Sequence, residues 1–438
     1  MAIGLFKTDS TGLYIEPLAL TVECRLKMSS INIQEIHLYE DEIEEYDIIK
    51  EIISTRDQED AFYIFDLGVI IKKHQDWIRK MPRVVPYYAI KCNTHPMVIK
   101  ILAAMKANFD CASKQEVQQV MQLNVSPDRI IFANPTKFPS HIKFAKSVGV
   151  EKMTVDSKYE LYKIKKLFPE AKIVIRFRCD GNSTVARCLK LGIKFGCEPG
   201  DEAKELIQLT KDLGLILYGF SFHVGSPCVE FNAYVRGIDI CKELITFAKS
   251  IQCNDIKLID IGGGFPGERE FQIDEISHMI NDAIKDIDPT IEIISEPGRY
   301  YVTSAFTLAS FIHSKKTVSV GNSLKQMYYV SCGVYSGFIE ELYKLKSRRP
   351  NSLFNPVSDK KYYSTLWGPT CDSGDCIIKD VLLPEFQIGD WLVWNDMGAY
   401  GTSIVCKFNG FMPPLVHSFI RKSQWEDFCT IMNRFVNE

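Results

Sequence analysis

Between residues 67 and 303 the chain alternates two patterns of apolar and polar positions. Short apolar runs at 87–93, 109–113, 129–134, 152–157, 172–179, 215–225, 256–265 and 291–299 have the length and residue types of strands. The segments between them repeat their apolar residues at helical spacing. In Lys114 to Leu123, Val117, Val120 and Met121 share one face, and in Tyr234 to Ile251, Ile238, Cys241 and Ile245 do. A further helical segment, Leu67 to Met81, precedes the first strand. Eight such repeats over about 230 residues match the order and size of a (β/α)8 TIM barrel. A doubly wound open sheet is the rival architecture, and the regularity of the repeats favours the closed barrel.

After about residue 304 the rhythm changes. Lys316 to Val320, Gln326 to Val330, Tyr362 to Trp367, Cys376 to Leu383 and Trp391 to Trp394 are strand-like and separated by Gly, Pro, Asn and Asp. Residues 1–66 carry similar short runs (Leu13 to Ile15, Ala19 to Cys24, Ile36 to Tyr39) that make a poor core alone. The expected organisation is therefore α/β plus all-β. The barrel covers 67–303, and 1–66 with 304–438 form a β-sandwich or β-barrel domain. Ser423 to Phe435 reads as a closing helix.

Composition narrows the function class. Of 438 residues, 46% are hydrophobic and 24% charged, which is ordinary for a globular enzyme. A net charge of −3 gives no electrostatic reason to expect nucleic acid or an acidic membrane as partner. The basic run Lys344 to Arg349 reads as a solvated loop. Fourteen cysteines are scattered without a CxxC pair or a secretory leader, so a reducing, cytoplasmic setting is expected. No apolar run approaches the ~20 residues that span a bilayer.

Barrels of this kind carry their active sites at the C-terminal ends of the strands. Those ends supply Lys91, Asp110, Asn134, Asp156, Arg176, His223, Gly262-Gly263-Gly264 and Glu296-Pro297-Gly298-Arg299. A lysine at a buried strand end can lose its proton and attack a carbonyl. The glycine triplet lets backbone N–H groups approach an anion, yet it lacks both the Walker and the dinucleotide-binding spacing. Arg299 supplies a fork suited to phosphate. Metal hydrolases use the same barrel but need several His and carboxylate ligands, and of eight histidines only His223 lies at a strand end.

Seven motifs in order carry a resemblance: YYAIKCN (87–93), FDCASKQE (109–116), FHVGSPC (222–228), DIGGGFPG (260–267), EPGRYYV (296–302), WGPTCDSGD (367–375) and WNDMGAY (394–400). Over about residues 60–420 the chain resembles the fold-type III pyridoxal-phosphate decarboxylases, and within them the eukaryotic ornithine decarboxylases that make putrescine for polyamine biosynthesis. The resemblance implies pyridoxal 5'-phosphate as cofactor, carried on Lys91. It also implies that Asp110 and Glu116 organise the ring-side polar network, that Arg176 is among the cofactor-binding residues, that His223 stacks on the ring and that Glu296 pairs with the ring nitrogen. Ser226, Gly263, Gly264, Gly298, Arg299 and Tyr400 are the implied phosphate ligands. No metal is required. Family dimers are head-to-tail, so Cys371 (product reprotonation) and Asp372 (the substrate's distal ammonium) are expected to reach the partner's site, with Lys194 and Asp375 bridging the dimer.

The chain departs from that pattern at Ser331-Cys332, where ornithine-specific members have Asn-Asp, and at Ser336-Gly337, where the family order is reversed. One of two carboxylates expected to hold the distal ammonium is thus missing. The expectation is a weak or altered specificity that Cys332→Asp would restore. The family also contains antizyme inhibitors, which keep the fold and bind the regulator antizyme. Asp110, Gly225, Arg299 and Tyr400, which those proteins tend to lose, are all present. Lys137 to Lys166 corresponds to the antizyme-binding surface.

Overall fold

The computed structural model describes residues 36–56, 58–179, 191–321, 323–354 and 360–437. The runs Leu13 to Ile15 and Ala19 to Cys24 lie outside these described residues. Strands β1 (Ile36–Tyr39) and β2 (Phe62–Asp66) come first, followed by eight parallel strands that close on themselves. These are β3 (Val84–Ala89), β4 (Asn108–Cys111), β5 (Ile130–Phe132), β6 (Lys152–Val155), β7 (Lys172–Arg178), β8 (Ile216–His223), β9 (Leu258–Asp260) and β10 (Glu292–Ser295). The ring is completed where β10 pairs with β3, Ile293 opposite Val84. The barrel, not the open sheet, is the fold.

The barrel interior is a packed core. Tyr87, Ile131, Val174 and Leu258, from alternate strands β3, β5, β7 and β9, form one buried cluster with Ala133 and Ile294, the layered filling typical of such barrels. At its floor Lys152 donates to the Tyr87 hydroxyl and the Asp128 carbonyl, each at 2.6 Å. This satisfies an otherwise costly buried ammonium. Helices follow the strands, and side-chain caps start several of them. Asp66 Oδ1 accepts from Gly68 N at 2.9 Å at the head of helix Leu67–Lys80, and Ser113 Oγ accepts from Glu116 N at 3.3 Å at the head of Lys114–Met121.

Two sequence boundaries move. The run 87–93 stops being a strand at Ala89, and Lys91 sits in a short 3-10 turn, Ile90–Cys92. The run 256–265 contains only the three-residue β9, and the glycine triplet lies beyond it. The physical reason is the same in both places: the apolar run continues into a buried loop, and periodicity cannot separate the two.

The second sheet has the order β1-β17-β2-β11-β12-β14-β15, with β16 joining β11 to β13. Its later members are β11 (Phe306–Val320), β12 (Ser323–Val330), β13 (Asn351–Ser352), β14 (Lys361–Trp367), β15 (Cys376–Pro384), β16 (Trp391–Trp394) and β17 (Leu415–Arg421). β11 does the joining. Its first half pairs with β2 and β16, and after a register shift at Ile312/Ser314 its second half pairs with β12. β2 lies between β17 and β11, and helix Lys422–Asn437 closes the chain.

The basic run at 344–349 is a loop that is only partly solvated, with Lys344, Ser347 and Arg349 exposed and Lys346 and Arg348 turned inward. Lys346 bonds Glu268, and Arg348 lies between Glu340 and Glu341, which are 4% and 8% exposed. Buried carboxylates need cations, and the nearest in sequence turn inward to meet them.

Candidate active site

The C-terminal ends of β3, β4, β8, β9 and β10 place three groups of side chains together. The first is Lys91 with Asp110. Ala89 of β3 is in register with Asp110 of β4, so the lysine two residues further on reaches back to donate to Asp110 Oδ2. The Lys91 side chain is 42% exposed whereas Asp110 is sealed, and the second oxygen of Asp110, Oδ1, is buried without a hydrogen-bond partner. Burial of the Lys91 stem works against its charge. Asp110 and then Glu296 outweigh that, so its pKa lies above the ordinary lysine value. Glu116, in the helix after β4, accepts from Ala112 N at 2.5 Å, and burial pushes its carboxyl up.

The second group is Asp260 with Glu296, two buried carboxyls that act on each other electrostatically. Burial raises both carboxyls, and for Glu296 the charges of Asp110 and Asp260 add to it. Asp260 Oδ1 accepts from Gly262 N at 2.9 Å, which ties the pair to the glycine turn. His223 at the end of β8 accepts from Gly225 N at 3.0 Å through Nδ1. Burial, then the charges of Arg176 and Lys91, keep its ring neutral. Arg176, on β7, rests its guanidinium 5.6 Å from the centre of the Phe195 ring.

The third group surrounds Arg299, which is 3% exposed. Its Nε donates to Ser226 Oγ at 3.3 Å and its Nη2 to Glu340 Oε1 at 2.7 Å, while the buried Nη1 has no partner. The Tyr400 ring lies 5.2 Å from the guanidinium, and Tyr400 N donates to the Cys92 carbonyl at 2.8 Å. Gly264 has φ +101°, and a Cβ there would run into the Gly225 carbonyl oxygen. At Gly298 a Cβ would lie 2.6 Å from that of Cys92. Backbone therefore crosses backbone closely beside an unpaired buried donor.

Residues 67–303 match the family described as pyridoxal-dependent decarboxylase, pyridoxal binding domain. The chain is 41% identical over 390 residues to the ornithine decarboxylase of Rattus norvegicus, covering 85% of this chain and 84% of that one. The chain belongs to the pyridoxal-dependent decarboxylase family. It is also 41% identical over 408 residues to antizyme inhibitor 2 of Xenopus laevis, covering 90% and 88% of the two chains. Among solved structures, the arginine decarboxylase of Paramecium bursaria Chlorella virus, bound to agmatine, superimposes with a TM-score of 0.79. That match has 35% identity and covers 85% of this chain and all (100%) of the other.

The residues present fit the family's cofactor, pyridoxal phosphate. The unpaired Asp110 Oδ1 and Arg299 Nη1 are the two buried polar atoms that such a group would satisfy, one acceptor and one donor. The Lys91 amine rests on the other oxygen of the same Asp110 carboxylate.

Other expected site residues are placed elsewhere. Cys371 and Asp372 lie on a loop of the β domain, and their partners are there too. Cys371 N donates to Asn409 Oδ1 at 3.1 Å, and Asp372 accepts from Gly374 N at 3.0 Å and from the Tyr335 hydroxyl. These bonds, the Gly374 amide first, hold the Asp372 carboxyl below its usual range. Ser331 turns its Oγ to Ser310 and Phe311 N. Cys332 is fully buried with Sγ 3.4 Å from Ser336 Oγ, and burial pushes its thiol up to about 12, so it supplies no thiolate. Asp375, expected to meet Lys194 across a dimer, is 1% exposed and accepts from Val334 N, Thr370 N and Thr370 Oγ1 within its own chain.

Sequence reasoning assigned no role to Asp260, Glu340 or Arg348. Asp260 carried a usable signal, as a carboxylate ending a strand directly before the glycine turn. Glu340-Glu341 carried none, because paired acids before a basic run read as surface.

Proposed function

We propose that this decarboxylase acts on L-ornithine to form putrescine, as a homodimer with shared active sites in the cytoplasm. The observation that carries the reading is the meeting of Lys91 with the sealed carboxylate of Asp110 at the barrel mouth, together with the buried, unpaired Arg299 Nη1. When bound, pyridoxal phosphate supplies the electron sink that takes up the pair left at Cα as carbon dioxide departs. Lys91, held in place by Asp110, is the residue that would carry the cofactor through its aldehyde group. Glu296, with Asp260 behind it, holds a proton at the ring nitrogen. His223, kept neutral, would lie against the cofactor without adding charge. Arg299, Ser226, Tyr400 and the amides of Gly263, Gly264 and Gly298 bind the phosphate.

Cys371 and Asp372 complete the partner's site. The exposure of Cys371 and the half-buried Asp372 carboxylate support this. Cys371 returns a proton to the product carbon, and Asp372 accepts the distal ammonium. With Cys332 neutral and buried, Asp372 is the single carboxylate for that ammonium, which favours weak or relaxed selection among ornithine, lysine and arginine. Among the described residues no helix is long and apolar enough to cross a membrane.

A second reading, a binding protein for antizyme, is favoured by the exposed Tyr159 and Tyr162 on a lysine-rich helix pair (Pro139–Val148 and Lys158–Leu167) and by the exposed Phe138 just before it. The intact Lys91, Asp110 and Arg299 arrangement weighs for the enzyme. The test is carbon dioxide release from L-ornithine, lysine and arginine by cofactor-loaded protein. Release from ornithine is the expected result. Bound cofactor with no release from any of the three would move the assignment to the second reading.

A further inference from the structure

Behind Arg299 stands a row of four alternating charges that no motif announced. Arg299 Nη2 donates to Glu340 Oε1 at 2.7 Å, Glu340 Oε2 accepts from Arg348 Nη2, and Arg348 Nη1 donates to Glu341 Oε1 at 2.7 Å. All four side chains are withdrawn from solvent, with exposures of 3%, 5%, 13% and 1% from Arg299 to Glu341. A carboxylate bonded to the candidate phosphate-binding arginine is unexpected, since a phosphate dianion arriving at Nη1 would meet that negative charge one guanidinium away. Arg348, from the basic run, is what offsets it.

We propose that Glu340 and Arg348 are positioning residues for the phosphate subsite. Glu340 fixes the Arg299 guanidinium through Nη2 so that Nη1 stays available, and Arg348 neutralises Glu340 so that its carboxylate does not repel the phosphate. This rests on the assignment of Arg299 as a phosphate ligand. An isolated buried carboxylate is costly, whereas one bonded to two guanidinium groups is tolerated. The phosphate subsite is therefore set from two residues away, by a cation that never touches it.

The test is the selectivity for the phosphate itself. Apo-protein is titrated with pyridoxal 5'-phosphate and with pyridoxal, following the absorbance of the bound aldehyde, and the dissociation constant of pyridoxal divided by that of pyridoxal 5'-phosphate is read. Arg348→Gln is expected to lower that ratio at least about tenfold. Adding Glu340→Gln to it is expected to restore at least half of the loss on a logarithmic scale, because the repelling charge is gone. Glu340→Gln alone keeps an acceptor for Nη2 and leaves Arg348 with Glu341, so the ratio should hold or rise. It also serves if Arg348→Gln fails to fold. A merely structural role would weaken both aldehydes alike. An unmoved ratio in Arg348→Gln, or a fall in Glu340→Gln, overturns the proposal. Wild-type protein that binds both aldehydes equally would instead defeat the phosphate-site assignment, and the inference with it.

Discussion

Lys91 rests its ammonium on one oxygen of Asp110, a carboxylate that is itself sealed from solvent and has its other oxygen unpaired. The two residues come from neighbouring parallel strands, and the contact exists because Lys91 has left the strand and turned back over its end. Asp110 thereby does two things: it locates the amine and keeps it protonated in the free protein.

Asp110→Asn should lower the pKa of Lys91, because the counter-charge that raises it is removed while the burial that lowers it remains. The pH midpoint for acylation of Lys91 in apo-protein, read by mass spectrometry, is expected to fall by at least about one unit. An unchanged midpoint would show that Asp110 does not hold that proton.

Gly264→Ala should cost cofactor affinity more than it costs the fold. Its φ of +101° is strained for alanine, and its Cβ would press on the Gly225 carbonyl. Displacing this turn moves the amides offered to phosphate. Affinity for pyridoxal phosphate is expected to drop at least about tenfold, with circular dichroism retained.

Stability should fall between pH 6.5 and 4 in part through His74. Burial pushes this imidazole down to about 4 from an ordinary value of 6.5. Its Nδ1 lies 2.9 Å from the Tyr301 hydroxyl and its Nε2 3.1 Å from the Met105 carbonyl. In that window the unfolded chain binds a proton that the folded one refuses, so stability is full above pH 6.5 and is lost as pH falls towards 4. Chemical denaturation of wild type and His74→Gln at pH 7 and pH 5 should show wild type losing on the order of 1–2 kcal/mol more across that step. Equal losses would remove His74 as a source.

Cys332→Asp is expected to destabilise the protein rather than raise ornithine turnover. The side chain is sealed, Gly337 and the Ser336 hydroxyl close over the sulfur, and the charges of Asp375 and Glu341 already oppose a negative group there. A buried unpaired carboxylate typically costs several kcal/mol. Thermal melting should therefore fall by several degrees, with carbon dioxide release no higher than wild type. A gain in release would place residue 332 at the substrate.

The barrel was legible because its physics is local and repeated. Each strand is a short apolar run and each helix a periodic one, so eight alternations specify a closed sheet before any contact is known. Lys91, Asp110, His223, Glu296 and Arg299 were legible for the same reason, since topology alone sends strand ends to one mouth. Their pairing was not. Whether Glu296 finds Asp260 depends on how β9 and β10 lie in register.

Sequence by itself thus determined the barrel, the polar inventory of its mouth and the family's motifs. Only the tertiary structure decided that the basic run around Arg348 turns inward, that Cys332 and Asp375 are sealed within their own chain, and that Glu340 stands behind Arg299. The reason is that burial is a property of three-dimensional neighbours. The same Glu-Glu or Lys-Leu-Lys reads as surface until an oppositely charged group, distant in the chain, is folded against it.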